Sequence, residues 1–491
     1  MLSIIIFLPA VGAVLVMMLG RDPRVARSLA LAVAGAELAL TLVLFATFDR
    51  EAVDGYDLVE RANWVSAFGI QYLLGVDGLS APLVMLNGLL GVAAVLVSWR
   101  VATNARGYFA WLLILQTSVM GVFLSLDLIL FFVFWELELV PMYFLIAMWG
   151  TGRREYSAMK FFVYTFLGSA FMFAAIIALY FSFPSAERTF DMTVLAQREL
   201  TSLIVPASTI FAGFLIAFAV KLPIFPLHTW LPDAHTDAPT AVSVMLAGVL
   251  LKMGGYGLLR INAGLFPDEL RRIAPLLAGL AVVNVLYGAF IVMRQTDLKR
   301  LIAYSSVSHM GFVVLGVASL GASQVTAVGI NGAAMQLFTH GTITGLLFVL
   351  VGLVYERTHT RHIPDMGGMI GRMPLIGAAF VLAGLASLGL PMTSGFVAEI
   401  LVFLGTFHVY AWATGLAAFG VVLAAGYILW TIQRTMFGPR LERWDGLQDA
   451  TIVDAGAIGV LLVPVMVVGI YPRFLTDAFE SGLAPILARF G

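Results

Sequence analysis

Not one cysteine occurs in the 491 residues. That excludes iron–sulfur clusters held by thiolates, c-type haem attachment, disulfides and cysteine nucleophiles on this chain. Charge is scarce as well: 12% of the residues are Asp, Glu, Lys or Arg and the formal net charge is -1, which excludes a basic nucleic-acid-binding surface. There is no phosphate-binding glycine loop and no dinucleotide fingerprint, so nucleotide-driven chemistry on this chain has no support. No set of metal ligands is in view. His359 and His362 stand in a basic loop without further ligands, and His228 and His235, beside Asp233 and Asp237, read as loop anchors and helix caps.

What is present is apolar. Sixty per cent of the residues are hydrophobic and the mean hydropathy is +0.96, so the chain is an integral membrane protein. About 20 apolar residues make one helical crossing, and the sequence divides into many runs of that length, so helices are expected rather than a barrel. The first 20 residues lack the basic start and small-residue cleavage site of a signal peptide and read as the first membrane helix.

Polar and Pro/Gly-marked breaks give about fourteen spans, at 2–20, 28–48, 79–99, 108–125, 128–148, 157–182, 207–227, 240–259, 273–293, 301–319, 325–354, 374–406, 413–436 and 452–471. Loops after odd-numbered spans carry sixteen basic residues and the opposite side nine, so the richer side should be cytoplasmic and both termini should lie outside. Arg440 is among the sixteen, as are Lys160 and Lys299; Arg260 is among the nine. By this assignment only Lys221, Lys252 and Arg434 remain within spans, Arg434 near a helix end from which it snorkels. The acidic segment from Asp49 to Asp77 reads as an outer cap.

A lysine at mid-membrane costs roughly 2.5 to 3.5 kcal/mol and usually marks an ion or proton path. Lys221 precedes Pro223 and Pro226, which break its helix at the charge; snorkelling from misjudged helix ends is the alternative for both lysines. Among acids, Glu37, Glu136, Glu138 and Glu399 fall within spans. Glu136 and Glu138 point about 200° apart on a helix, so one of them can face a pathway; the reading pairs Glu136 with Lys221. Lys252, His309, His340 and Glu399 extend the line inward, each histidine being equally readable as a neutral core residue. Glu37 reads as a locally hydrogen-bonded or lipid-distant group.

Lys221-Leu222-Pro223 with Gly255-Tyr256, and Gly389-Leu390-Pro391 with Gly426-Tyr427, rhyme at matching places. Two five-helix units, spans 4–8 and 9–13, would account for this, and units of odd helix number must be inverted relative to each other. The fold class expected is therefore all-α membrane protein, with residues 1–107 as N-terminal helices and outer loop, 108–260 and 261–437 as inverted repeats each with a broken helix, and 438–491 as a last helix and tail.

The stretches GVDGLS (75–80), WELELVPMYFLIAMWG (135–150), AVKLPIFPLHTWLPDAHTDAPTAVSVMLAGVLLKMGGYGLLR (219–260), AYSSVSHMGF (303–312), IPDMGGM (363–369) and TIQRTMFG (431–438) resemble the antiporter-like membrane subunits of respiratory complex I, the M or ND4 type. The resemblance implies proton pumping across a bacterial cytoplasmic membrane, driven by electron transfer from NADH to quinone in other subunits. It implies partners among the other membrane-arm subunits, further antiporter-like subunits included, with flavin, iron–sulfur clusters and quinone on those partners and no cofactor here. By motif, Glu136 resembles the family's fifth-helix glutamate, Lys221 its broken-helix lysine, Lys252 the central lysine and Glu399 the exit-side glutamate, with His309 and His340 on the connecting axis. Glu138 is an additional acid where the family leads one to expect an apolar residue. The same fold serves sodium/proton antiporters and membrane-bound hydrogenases, and a non-pumping scaffold is the alternative of a different class.

Overall fold

A computed structural model gives the architecture and describes residues 1–52, 55–200, 204–321, 325, 327–439 and 441–490. Arg440, counted above among the cytoplasmic loop residues, lies outside them.

The chain is helical throughout except for one hairpin. Helices α1 (Leu2–Leu19) and α2 (Pro23–Thr47) lead into strands β1 (Asp57–Val65) and β2 (Ile70–Val76), antiparallel with Ala62 opposite Tyr72. There follow α3 (Ser80–Val97), α4 (Ala105–Leu124), α5 (Leu128–Leu137), α6 (Leu139–Trp149), α7 (Arg154–Phe181) and a short α8 (Met192–Leu195). Next come α9 (Ala207–Lys221), α10 (Leu231–Asp237), α11 (Thr240–Met245), α12 (Leu251–Gly257), α13 (Pro267–Val292), α14 (Leu298–Ala318) and α15 (Ala327–Thr358). The chain ends in α16 (Pro374–Ser387), α17 (Ser394–Phe407), α18 (Ala411–Ile432), α19 (Ile452–Ile470) and α20 (Arg473–Leu487).

Among the described residues, 12 helical runs are long and apolar enough to cross a bilayer, and α9, α16 and α17 are shorter apolar helices. The shorter ones are where the sequence is interrupted. The run expected over 207–227 stops at Lys221 because Pro223 and Pro226 supply no backbone donors. The run expected over 374–406 stops at Ser387 and resumes at Ser394, with Gly389 in the left-handed region at φ +77°.

The core is formed by α3, the run Thr240–Ala263, α14 and α15, which are nearly or wholly buried. Helices α1, α2, α7, α18 and α19 expose most of their residues, including Phe166, Leu167, Val422 and Val463. Apolar exposure of this kind suits lipid, while Lys252, His309 and His340 sit on the central helices.

Four sequence expectations need correction. Arg260, counted as a loop residue, lies in a π-helical segment, Leu258–Ala263, because the apolar run continues past it; it is buried and donates to Asp77 at 2.6 Å and to the Tyr56 hydroxyl at 3.0 Å. Asp77, expected on the outer surface, is buried by that pair. Lys299, also counted as a loop residue, is buried and donates to the Ala238 carbonyl at 2.5 Å. The C-terminal segment beyond α19, read as a tail, is a helix whose buried residues Leu475, Ala478, Phe479, Gly482, Leu483 and Ile486 form one stripe at helical spacing.

Candidate functional site: a buried line of ionisable side chains

The first station lies where two helices are disrupted at the same place. Pro141 cannot donate to the Leu137 carbonyl, and the α5–α6 run is interrupted at Glu138. Glu138 is fully buried and forms an ion pair with Lys221 at the end of α9. The lysine ammonium also lies 5.3 Å from the Trp135 ring centroid and 5.7 Å from that of Phe161, which face it with π-electron density. Its position in the last helical turn places a cation at the negative end of the α9 dipole.

The pairing expected for Lys221 was with Glu136, and here the structure differs. Glu136 is only half-buried, and the ion pair of Lys221 is made to Glu138 instead. The two glutamates do face apart, as their spacing requires, but the inward one is Glu138.

The break after Lys221 is held by a residue that sequence reading passed over. Asn284 of α13 accepts from Phe225 N at 2.7 Å and donates to the Pro223 carbonyl at 3.2 Å, satisfying backbone groups that the prolines leave without helical partners. Gly254 permits the break to lie against α12, since a Cβ there would stand 2.7 Å from Leu222 N and 2.8 Å from the Phe218 carbonyl.

The second station is a run of four buried ionisable side chains. Lys252 is fully buried; its ammonium donates to the Ala247 carbonyl, within the π-helical segment Leu246–Leu250, and meets His340 Nδ1 at 2.6 Å. The His340 and His309 rings are 5.8 Å apart between centroids. His309 Nδ1 lies 3.5 Å from Glu399, and its Nε2 lies 3.3 Å from the Ser387 hydroxyl. Both histidines and Glu399 border a small cavity of about 10 Å³, shared with Gln336, Thr339 and Thr344. Lys252, His340, His309 and Glu399 thus form one buried run, with His340 rather than His309 next to Lys252.

One further buried histidine has a setting that the sequence did not indicate. His235, expected to anchor or cap, is fully buried, with neither ring nitrogen hydrogen-bonded; it stacks on Phe348 at 4.5 Å. The neighbouring acids do anchor: Asp233 pairs with Lys160 at 2.7 Å, and Asp237 accepts from Ser157 at 2.6 Å. The sequence signal for His235 was its seven-residue spacing from the Lys-Leu-Pro break's His228, which indicated a shared element but not the aromatic floor beneath it.

Chemically, such a line sets groups that donate a proton beside groups that accept one, and bound water can bridge the gaps between them. Imidazole and ammonium groups can pass a proton on without leaving their helices. Among the described residues no group of three or more His, Cys, Asp and Glu is placed to hold a metal ion.

Known proteins give the family. Residues 125–424 match the model described as NADH:quinone oxidoreductase/Mrp antiporter, TM. The chain is 43% identical over 495 residues to NAD(P)H-quinone oxidoreductase chain 4 of Synechococcus elongatus, covering 99% of this chain and 91% of that one. It is 41% identical over 501 residues to chain 4 of Nostoc sp., with the same coverage. In structure it resembles a chain of respiratory complex I from Thermus thermophilus, with TM-score 0.88, 30% identity and coverage of 99% and 100%. A chain of the Mrp complex from Dietzia sp. shares the fold, with TM-score 0.86, 20% identity and coverage of 100% and 99%. With a family match over more than half its length and a 43% identical relative along nearly all of it, the chain belongs to the NADH:quinone oxidoreductase/Mrp antiporter transmembrane family.

Proposed function

We propose that this chain is the proton-translocating, antiporter-like membrane subunit of a quinone-reducing respiratory complex, the counterpart of chain 4 in its relatives. The observation that carries the reading is the chain of Lys252, His340, His309 and Glu399 inside helices that are otherwise apolar. Glu138, Lys221, Lys252, His340, His309 and Glu399 carry the proton between stations, and Glu136 is an outlying acid beside the first. When the Glu138–Lys221 pair separates, the loss of the neighbouring carboxylate weakens the hold of Lys221 on its proton. The displaced charge then acts on Lys252 and the histidines beyond.

The energy comes from NADH or NADPH oxidation and quinone reduction on partner subunits, which hold the flavin and iron–sulfur clusters. Neighbouring antiporter-like subunits flank this one in the membrane arm of a bacterial inner membrane, with both termini outside. Residues 108–260 and 261–437 act as two inverted halves, each organised about its broken helix. The sodium/proton alternative draws on the likeness to the Mrp chain, which at 20% identity extends to the fold alone.

Substituting Lys221→Ala in the assembled complex tests the reading. Protons translocated per quinone reduced should fall to the level left by the other subunits, with the complex still assembled. Unchanged pumping, which a scaffold predicts, would overturn it.

A further inference from the structure

Glu37 lies outside the line described above. It is fully buried in α2, and neither carboxylate oxygen has a hydrogen-bond partner. Of its two readings from sequence, locally hydrogen-bonded or lipid-distant, the first finds no partner among the described residues. It belongs to the buried stripe Ala26, Ala30, Ala34, Glu37, Thr41 and Leu44, whose spacing puts all six on one helix face. That face meets α3: Thr41 Oγ1 and Leu38 Cα take the space beside Gly88. Because α2 and α3 run in opposite directions, the turn of α2 bearing Glu37 stands opposite the next turn of α3, at Gly91. Gln116 of α4 fills the space beside Gly91 with its side-chain amide.

Three more buried polar atoms of this cluster lack partners: Gln116 Nε2, Asn87 Oδ1 and Thr117 Oγ1. Asn87 is anchored by donating to the Gln116 carbonyl at 3.0 Å, so α3 and α4 are tied together at this level. Among the described residues, no counter-charge faces Glu37. Helices α1 and α3 contain no ionisable side chain. Those of α4 are Arg106, exposed at its start, and Tyr108, whose hydroxyl is bonded to Ser98 at 2.9 Å. On α2 itself, Arg27 is about 15 Å away along the axis and donates to the Trp99 carbonyl at 2.8 Å.

An isolated ionised carboxylate in apolar surroundings is very costly, whereas a carboxylic acid bonded to water is not. A buried water takes two to four polar partners, and the amide of Gln116, the carbonyl of Asn87 and the hydroxyl of Thr117 supply them. We infer that α2, α3 and α4 enclose a second proton-binding site, in which Glu37 holds a proton on its carboxyl group and reaches Gln116 and Asn87 through bound water. The opposite face of α3 presents Leu86 and Leu90 to Gly341, Gly248 and Gly345, beside Lys252 and His340. The site is therefore one helix away from the main line and separated from it by leucines. It stands independently of the proton-translocation reading, which does not use it.

Infrared difference spectroscopy on the intact complex tests the inference. Wild type minus Glu37→Gln should show the loss of one protonated-carboxyl C=O band, shifted in D₂O. Gln116→Leu, which retains Glu37, should move that band without removing it. If Glu37→Gln instead loses a pair of ionised-carboxylate bands, no proton is bound there; if Gln116→Leu leaves the band in place, Gln116 does not form the site. Either result overturns the inference. Should Glu37→Gln fail to assemble, isotope-edited glutamate spectra of wild type and Gln116→Leu make the same distinction.

Discussion

The difference between Glu136 and Glu138 is two residues of helix, and it decides which carboxylate is electrically joined to Lys221. Glu138 is fully buried against the ammonium, so removing either partner leaves a naked charge inside the protein. Glu138→Leu or Lys221→Met alone should cost about 3 to 5 kcal/mol of stability, and the double substitution less than the sum. Thermal unfolding of the purified complex and a double-mutant cycle measure this. Glu136→Gln, at a half-buried position outside the pair, should cost about 1 kcal/mol or less and leave most of the pumping. The reverse ranking would restore Glu136 as the partner. At the far end, Gly389 is in the left-handed region and a Cβ there would stand 2.7 Å from Glu399 Oε2. Gly389→Ala should therefore cost about 1 to 3 kcal/mol and displace the carboxylate from His309, seen as reduced pumping with normal quinone reduction.

At the scale of elements, Asp127 shows how an end group ties a helix to the hairpin. It caps α5, accepting from Ile129 N at 2.9 Å and Leu130 N at 3.1 Å, and it accepts from Gln71 N of β2 at 3.1 Å. Burial outweighs these donors and pushes its carboxyl up to about 6. The unfolded chain gives up this proton at lower pH, so the folded state binds more protons between about pH 4 and pH 6, and stability falls as pH rises through that window. Asp127→Asn should flatten the corresponding drop in melting temperature between pH 4 and pH 7. The broken helices were legible in the sequence because proline and glycine act locally. The π-helical segment that contains Ala247 was not, since no residue type signals it. His235 was read as a cap because its stacking partner, Phe348, is far along the chain. The spacing that separates Glu136 from Glu138 showed that they face apart, but only the packing of α9 against α7 and α5 shows which one faces in. The stripe of α20 was present at helical spacing, and its polar residues made it look like a tail.

On the whole-molecule scale, polar groups are concentrated on central helices and apolar surface on the outer ones, so the path is insulated from lipid by complete helices such as α7 and α18. The insulation has a direction only if the molecule is inserted one way, and the excess of Lys and Arg after odd-numbered spans argues for termini outside. Because the chain has no cysteine, that orientation can be read directly. Ala102, between α3 and α4, and Ser185, after α7, are both exposed and lie on opposite sides under this assignment. In oriented vesicles, an impermeant maleimide should label Ala102→Cys only from the cytoplasmic face and Ser185→Cys only from the outer face, read on this chain by mass. The opposite pattern would invert the molecule. Lys299, at the start of α14, and His235, near the end of α10, would then be at the outer end of the path, and Lys252 would receive its proton from the other side.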